Sequence, residues 1–208
     1  MSKGFGTKDN DKKYTIIELE DFVPPQHADE IQALLESPHC DWNFNPTTSN
    51  MEIPEKLSVN VMDSHQMTHL HFDQPNNSQP FIGKDVDVIR SILLLAQQKL
   101  KFEVVNITRI KSNLLLQWTG FTKDNYSAPH IDYYDEHYDE NYSIIYYVND
   151  SDGDTRFFNK KYDVIKKVTP KKGKAVLFHS NTLHAGSNPI ESRHRIVINF
   201  NVRLRGIS

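Results

Sequence analysis

The sequence predicts an α+β chain, mainly β, in which N-terminal helices pack on a C-terminal antiparallel sandwich or barrel such as a jelly roll. Three observations carry this. After Phe102, short runs rich in β-branched and aromatic residues alternate with turn compositions, and no helical pattern falls between them. Before Phe102, two stretches repeat their apolar residues at helical spacing. The length, 208 residues, suits one domain with a core of its own.

Residues 1–13 are rich in Gly, Lys and Asp, without the apolar run of a signal peptide, and read as a flexible tail. Residues 14–20 (YTIIELE) read as a strand. Pro24 and Pro25 then open a helix over about 27–37, with Ile31, Leu34 and Leu35 as its stripe and Pro38 as its stop. Residues 40–79 are rich in Asn, Pro, Ser, Thr and His. They hold strand-like pieces at 57–62 and 69–72 and read as a lid. A second helix spans about 84–101, where Val86, Ile89, Leu93, Ala96 and Leu100 share one face. The strand runs are 108–118, 143–149, 155–159, 164–168, 174–179 and 195–203, with turns at 149–154 (NDSDGD) and 171–174 (KKGK).

Composition narrows the chemistry. A single cysteine, Cys40, excludes an intrachain disulfide and any cysteine-rich zinc module, so a metal here needs imidazole and carboxylate ligands. Twenty-four basic and 27 acidic residues balance to −3, which offers no general surface for nucleic acid. The lysines at 160, 161, 166, 167, 171 and 172 read as a solvated hairpin face. No segment has the length of a membrane span, and a cytoplasmic setting is expected, the host cytoplasm for a phage protein.

Ten histidines contain two His-x-Asp pairs, His71–Asp73 and His130–Asp132. Residues i and i+2 of a strand share a face, so either pair offers two ligands, and the motif alone is weak. Context favours the second. A facial triad needs another histidine from a separate strand and leaves positions open on the metal. His184, 52 residues after Asp132, lies just past the 174–179 run. Arg193 and Arg195 then open the next strand, and an inward arginine there suits a dicarboxylate cosubstrate because its planar fork keeps its charge when buried. His71 and Asp73 have only His130 at comparable spacing, with no arginine or lysine strand after it. His69, His71 and Asp73 therefore read as surface or substrate-groove residues, and His137 and His179 as structural.

Six blocks then stand in order: Pro129-His130-Ile131-Asp132, Ile145-Tyr146-Tyr147-Val148-Asn149, Asp152-Gly153-Asp154-Thr155-Arg156-Phe157-Phe158, Val168-Thr169-Pro170-Lys171-Lys172-Gly173, Leu183-His184-Ala185-Gly186 and Arg195-Ile196-Val197-Ile198-Asn199-Phe200. Over about 109–203 they resemble the iron(II)- and 2-oxoglutarate-dependent dioxygenases, in particular the prolyl-4-hydroxylase-like branch and its small members from phages of marine bacteria. The resemblance implies a double-stranded β-helix (jelly-roll) core over 105–208. Residues 14–104 would be its helical support and lid, within a single domain over 14–208. It implies Fe(II) on His130, Asp132 and His184, with 2-oxoglutarate and O2 as cosubstrates and ascorbate as a reductant. The far carboxylate of 2-oxoglutarate would meet Tyr147 and an arginine, Arg195 in preference to Arg193. Thr155 and Phe157 would line the barrel, and Asn113 and Gln117 are weaker cosubstrate candidates. The implied reaction hydroxylates an unactivated C–H bond and releases succinate and CO2. A prolyl residue of a peptide or protein is its nearest suggestion, and a small molecule is the other. The acidic, tyrosine-rich 133–142 stretch reads as a solvated loop or as a groove rim for basic or polar peptides. The rival readings are a cupin-like metalloenzyme without 2-oxoglutarate and a non-catalytic jelly-roll binding module.

Overall fold

The structure, a computed structural model, describes residues 15–48, 60–74, 79–132 and 138–207. The expected 1–13 tail, residues 57–59 of the 57–62 run and residues 133–137 of the acidic stretch lie outside these.

Two helices stand before the long strands. α1 (Pro25–Leu35) starts on Pro25, whose missing N–H costs nothing in a first turn, and buries Ala28, Ile31 and Leu35. α2 (Val86–Leu100) buries Ile89, Ile92, Leu93 and Ala96, and ends where Lys101 turns left-handed at φ 62°. His27 of α1 meets Ser91 of α2 at 2.5 Å. Both helices fall within two or three residues of the periodicity reading.

The strands are β1 (Ile16–Leu19), β2 (Asn43–Asn45), β3 (Gln66–Asp73), β4 (Phe81–Ile82), β5 (Glu103–Leu116), β6 (Asn141–Tyr147), β7 (Thr155–Phe158), β8 (Val164–Val168), β9 (Ala175–His179), β10 (Leu183–Gly186) and β11 (His194–Arg205). Eight form the major sheet in the order β1-β9-β6-β11-β5-β3-β2, with β4 beside β3. Three form the minor sheet, β10-β7-β8, and every ladder is antiparallel. The two-sheet β core agrees with the predicted jelly roll. The first hundred residues contribute more than helices, however. β1 closes one edge against β9, and β3 pairs with β5.

Strand alternation makes the major sheet two-faced. Ile144, Tyr146 and Val148 of the β6 segment, with Ile196, Ile198, Phe200, Val202 and Leu204 of β11, pack under the helices. Ile145, Tyr147, Val176, Phe178 and Val197 point the other way, to Phe157 and Val168 of the minor sheet. β5 carries Ile110 and Leu114 on the helix face. Its odd-numbered residues Arg109, Lys111, Asn113 and Leu115 line the interior between the sheets, where β11 adds Arg195, Val197 and Asn199. Along β5 the interior face is polar where the helix face is mainly apolar, and the candidate site opens there.

Candidate metal centre and its cavity

Backbone pairing builds the triad. His130 and His184 form an isolated antiparallel bridge, with N–H···O distances of 2.9 and 3.0 Å, which extends the minor sheet beside β10. Asp132 donates its N–H to Ser180 O at 3.1 Å. The three side chains thereby converge, with ligand atoms all within 4.8 Å of one another.

Each imidazole is oriented by its own strand. His130 Nδ1 lies 3.2 Å from Ala128 O, and His184 Nδ1 lies 3.0 Å from Thr182 O. A carbonyl only accepts, so both Nδ1 atoms donate and both Nε2 atoms present lone pairs. These stand 3.7 Å from Asp132 Oδ1 and Oδ2 respectively, too far for a hydrogen bond. Two donors each about 2.1 Å from a shared ion are at most about 4.2 Å apart, so the gap accommodates one. Asp132 Oδ2 is buried without a hydrogen-bond partner, a costly arrangement that a cation relieves. Burial, followed by the neighbouring His184 charge, pushes His130 down to about 4, which keeps it neutral and able to coordinate at pH 7. Burial works to raise Asp132, but His184 and His130 outweigh it, and its carboxyl lies below the ordinary range. Two imidazoles with their Nε2 atoms turned toward an ionised carboxylate at this spacing fit a divalent metal, iron(II) among them.

The triad opens on a cavity of about 360 Å³. Arg195 is buried in its wall. Its Nε donates to Gly153 O and one Nη to Thr155 Oγ1, both at 2.8 Å. The other, Nη1, lies against Gly186, where an added Cβ would stand 3.3 Å from it. Tyr147 donates its hydroxyl to Thr155 Oγ1 at 2.9 Å, and burial pushes that phenol up to about 12. Tyr147 therefore stands behind Thr155, outside the residues lining the cavity. Arg193, the competing arginine, is exposed and lies outside the cavity. A two-residue offset on one strand would keep both inward, but β11 begins only at His194.

The NDSDG turn holds this arginine in place. Asn149 Oδ1 accepts Ile196 N–H at 2.8 Å, and Asn149 Nδ2 donates to His194 O at 3.1 Å. Asp152 accepts three backbone N–H groups, from Ile190, Glu191 and Ser192, at 2.8–2.9 Å. Burial opposes, but these bonds hold its carboxyl at about 2. Gly153 packs against the Ser187 carbonyl, where any Cβ would collide. In the sequence these residues read only as turn formers, although their spacing before β11 matched the resembling family.

Other candidates move. Gln117 is exposed and bonds Ile190 O, away from the cavity. Asn113 does line the cavity, with Oδ1 unpartnered. Phe157 is buried and packs near the His184 ring, 6.3 Å between centroids. His69 and His71 are not surface or groove residues. Both are buried on the helix face of the major sheet, where they meet Asp85 rather than Asp73. His69 Nε2 and His71 Nδ1 lie 3.0 and 2.9 Å from Asp85 Oδ2. Their far nitrogens meet Asp41 O at 2.9 Å and Ser112 Oγ at 2.7 Å. Sequence reasoning passed over Arg109 and Lys111, which line the cavity from β5. Their i, i+2 alternation with Asn113 was the available signal.

Residues 116–203 match the 2OG-Fe(II) oxygenase superfamily. No curated protein matches the chain by sequence. Among solved structures, a 2OG-Fe(II) oxygenase-family oxidoreductase from Burkholderia pseudomallei is similar, with TM-score 0.59 at 11% identity over 90% of this chain and 84% of that one. A Trichoplax adhaerens prolyl hydroxylase, in complex with a hypoxia inducible factor peptide, gives 0.60 at 12% over 93% and 84%. A Pseudomonas putida prolyl-4-hydroxylase gives 0.54 at 15% over 90% and 91%. At these identities the structures share a fold with the chain. The superfamily match supplies the enzyme class. The chain is a 2-oxoglutarate-dependent dioxygenase, using Fe(II), 2-oxoglutarate and O2. No helix among the described residues is long and apolar enough to cross a membrane.

Proposed function

We propose that His130, Asp132 and His184 hold Fe(II), that Arg195 binds the far carboxylate of 2-oxoglutarate, and that the enzyme hydroxylates an unactivated C–H bond with release of succinate and CO2. The observation that carries this is the pairing of an open His-Asp-His set with a buried arginine lining the same cavity. When bound, iron with 2-oxoglutarate and O2 supplies the oxidising power, so the protein needs no nucleophile of its own. The backbone carbonyls of Ala128 and Thr182 fix the imidazole tautomers. The Gly153 carbonyl and the Thr155 hydroxyl hold the guanidinium, and Gly186 leaves Nη1 open to a carboxylate. Tyr147 orients Thr155, a positioning role in place of direct contact with the cosubstrate.

The prolyl hydroxylases named above bear on the substrate only through their shared fold. A cytoplasmic setting, the host's for a phage protein, belongs to the same proposal. The test is conversion of 2-oxoglutarate to succinate by metal-free protein reconstituted with Fe(II) and ascorbate. Turnover in the wild type and none in His130→Ala or Asp132→Ala supports the reading. A protein that binds neither Fe(II) nor 2-oxoglutarate sinks it.

A further inference from the structure

The cavity has a second cationic end. Lys111 and Arg109 line it from β5, both half-buried. Arg109 Nε donates to Asn201 Oδ1 at 3.1 Å, and no ion pair joins either residue to a carboxylate among the described residues. Burial and then the Arg109 charge press the Lys111 pKa down, and only Asp132 pulls it up. Two desolvated cations side by side repel unless an anion joins them.

Sheet register separates this end from Arg195. On the β11–β5 ladder Arg195 faces Leu115, Val197 faces Asn113, Asn199 faces Lys111 and Asn201 faces Arg109. From Arg195 to the Lys111 row is four residues, and to the Arg109 row six, or about 13 and 20 Å along the strand. The triad lies between the two ends: the Arg195 guanidinium packs against Gly186, two residues or about 7 Å along β10 from His184, while Asp132 is hydrogen-bonded by Ser143, which pairs with Asn201 in the Arg109 row. 2-Oxoglutarate has four C–C bonds of about 1.5 Å and spans about 5 Å end to end. Anchored at Arg195 and reaching toward the triad, it leaves Lys111 and Arg109 for another anion. The cavity walls are polar around them, with Asn45, Thr47, Thr48, Gln66, Asn113 and Asn199, and no Phe, Tyr or Trp lines the cavity among the described residues. Such walls suit a charged, hydrogen-bonding molecule better than the ring of a neutral prolyl peptide.

We propose that Lys111 and Arg109 form the primary-substrate anion site, and that the substrate is a small molecule carrying a carboxylate beside the C–H bond to be oxidised. This rests on the assignment of Arg195 and the triad made above.

The test uses protein loaded with Mn(II), a redox-silent stand-in for iron, and saturated with 2-oxoglutarate. Carbon-13 acetate is the probe, and its relaxation by Mn(II) reports binding near the metal. Acetate is expected to bind with 2-oxoglutarate saturating. Lys111→Met and Arg109→Gln should each weaken it at least tenfold, with 2-oxoglutarate affinity kept within twofold. Inorganic phosphate run in parallel should compete less well than acetate, and tighter phosphate binding would replace the carboxylate with a phosphoryl group and overturn the stated class. The proposal falls if 2-oxoglutarate displaces acetate, if the variants lose 2-oxoglutarate instead, or if acetate binding ignores both substitutions. If the wild type does not load with Mn(II) and 2-oxoglutarate, the parent reading has failed and takes this one with it. Loading with no acetate bound sinks this one alone.

Discussion

The major sheet carries a His-His-Asp cluster beside each of its faces, and the two clusters behave oppositely. On the helix face, His69, His71 and Asp85 are closed on one another, with nitrogens 2.9–3.0 Å from a single carboxylate oxygen. Beside the interior face, the His130 and His184 Nε2 atoms each stand 3.7 Å from an Asp132 carboxylate oxygen, and the set opens on a cavity. Both sets bring three ligand atoms within 4.8 Å. Residue type and proximity therefore do not separate a metal centre from a structural cluster. Each also keeps buried polar atoms without a hydrogen-bond partner, His71 Nδ1 and Asp85 Oδ1 in one and Asp132 Oδ2 in the other. What separates them is the spacing of imidazole and carboxylate, 2.9–3.0 Å against 3.7 Å, and whether a cosubstrate can reach them.

The largest contrast lies in metal binding. Substituting His130, Asp132 or His184 with Ala should weaken Fe(II) binding by more than about 100-fold, as measured by metal analysis after dialysis. Asp85→Asn should leave the iron stoichiometry at the wild-type value. Iron lost equally from both sets would erase the distinction.

Arg195→Met should raise the dissociation constant for 2-oxoglutarate at least about thirtyfold, the result of truncating a buried charged partner, while the metal stays bound. Arg193→Met, on the exposed residue, should leave it unchanged in the same titration.

Stability reverses the order of the faces. Asp85 is held at about 2, because the His71 and His69 contacts outweigh the burial that would raise it. Asp85→Ala strands two buried imidazoles and should cost about 3 kcal/mol, a fall of roughly 6–12 °C in Tm. Asp132→Asn in metal-free protein should cost less, about 1 kcal/mol, since Oδ2 has no hydrogen-bond partner to lose. Differential scanning calorimetry of the two variants checks both.

The smallest effect concerns Asp152, which grips the loop before Arg195. Its folded pKa, about 2, lies below the ordinary unfolded value of about 3.9. Its stabilisation is therefore fully present above about pH 4 and disappears as pH falls through about 2. Asp152→Asn should lower denaturant midpoints at pH 6, with the gap to wild type narrowing steadily toward pH 2. A gap independent of pH would remove the carboxylate from the account.

Much of the fold was legible because it is local. Apolar periodicity located α1 and α2, and β-branched runs located β6 through β9 and β11 to within a few residues. Two things were not legible. The partners of β1 and β3 lie more than 150 and about 40 residues away, and only tertiary pairing reveals them. β10, the four-residue strand carrying His184, is too short to show alternation of its own. The triad was legible through an unusual coincidence of spacing and an arginine-opened strand. The other cluster was misread because His71 was matched to its sequence neighbour Asp73. Its partner, Asp85, arrives instead from the start of α2, and a register shift between Leu70 and Phe72 interrupts the alternation that would assign a face.

The central claim is that the interior cluster, and not the helix-face one, is the iron centre. Anaerobic titration of metal-free protein with Fe(II) and 2-oxoglutarate, read by the visible charge-transfer absorption of their chelate, tests it directly. The account predicts a one-to-one complex in the wild type and in Asp85→Asn, and none in His130→Ala. A band that survives His130→Ala but disappears in Asp85→Asn would contradict it.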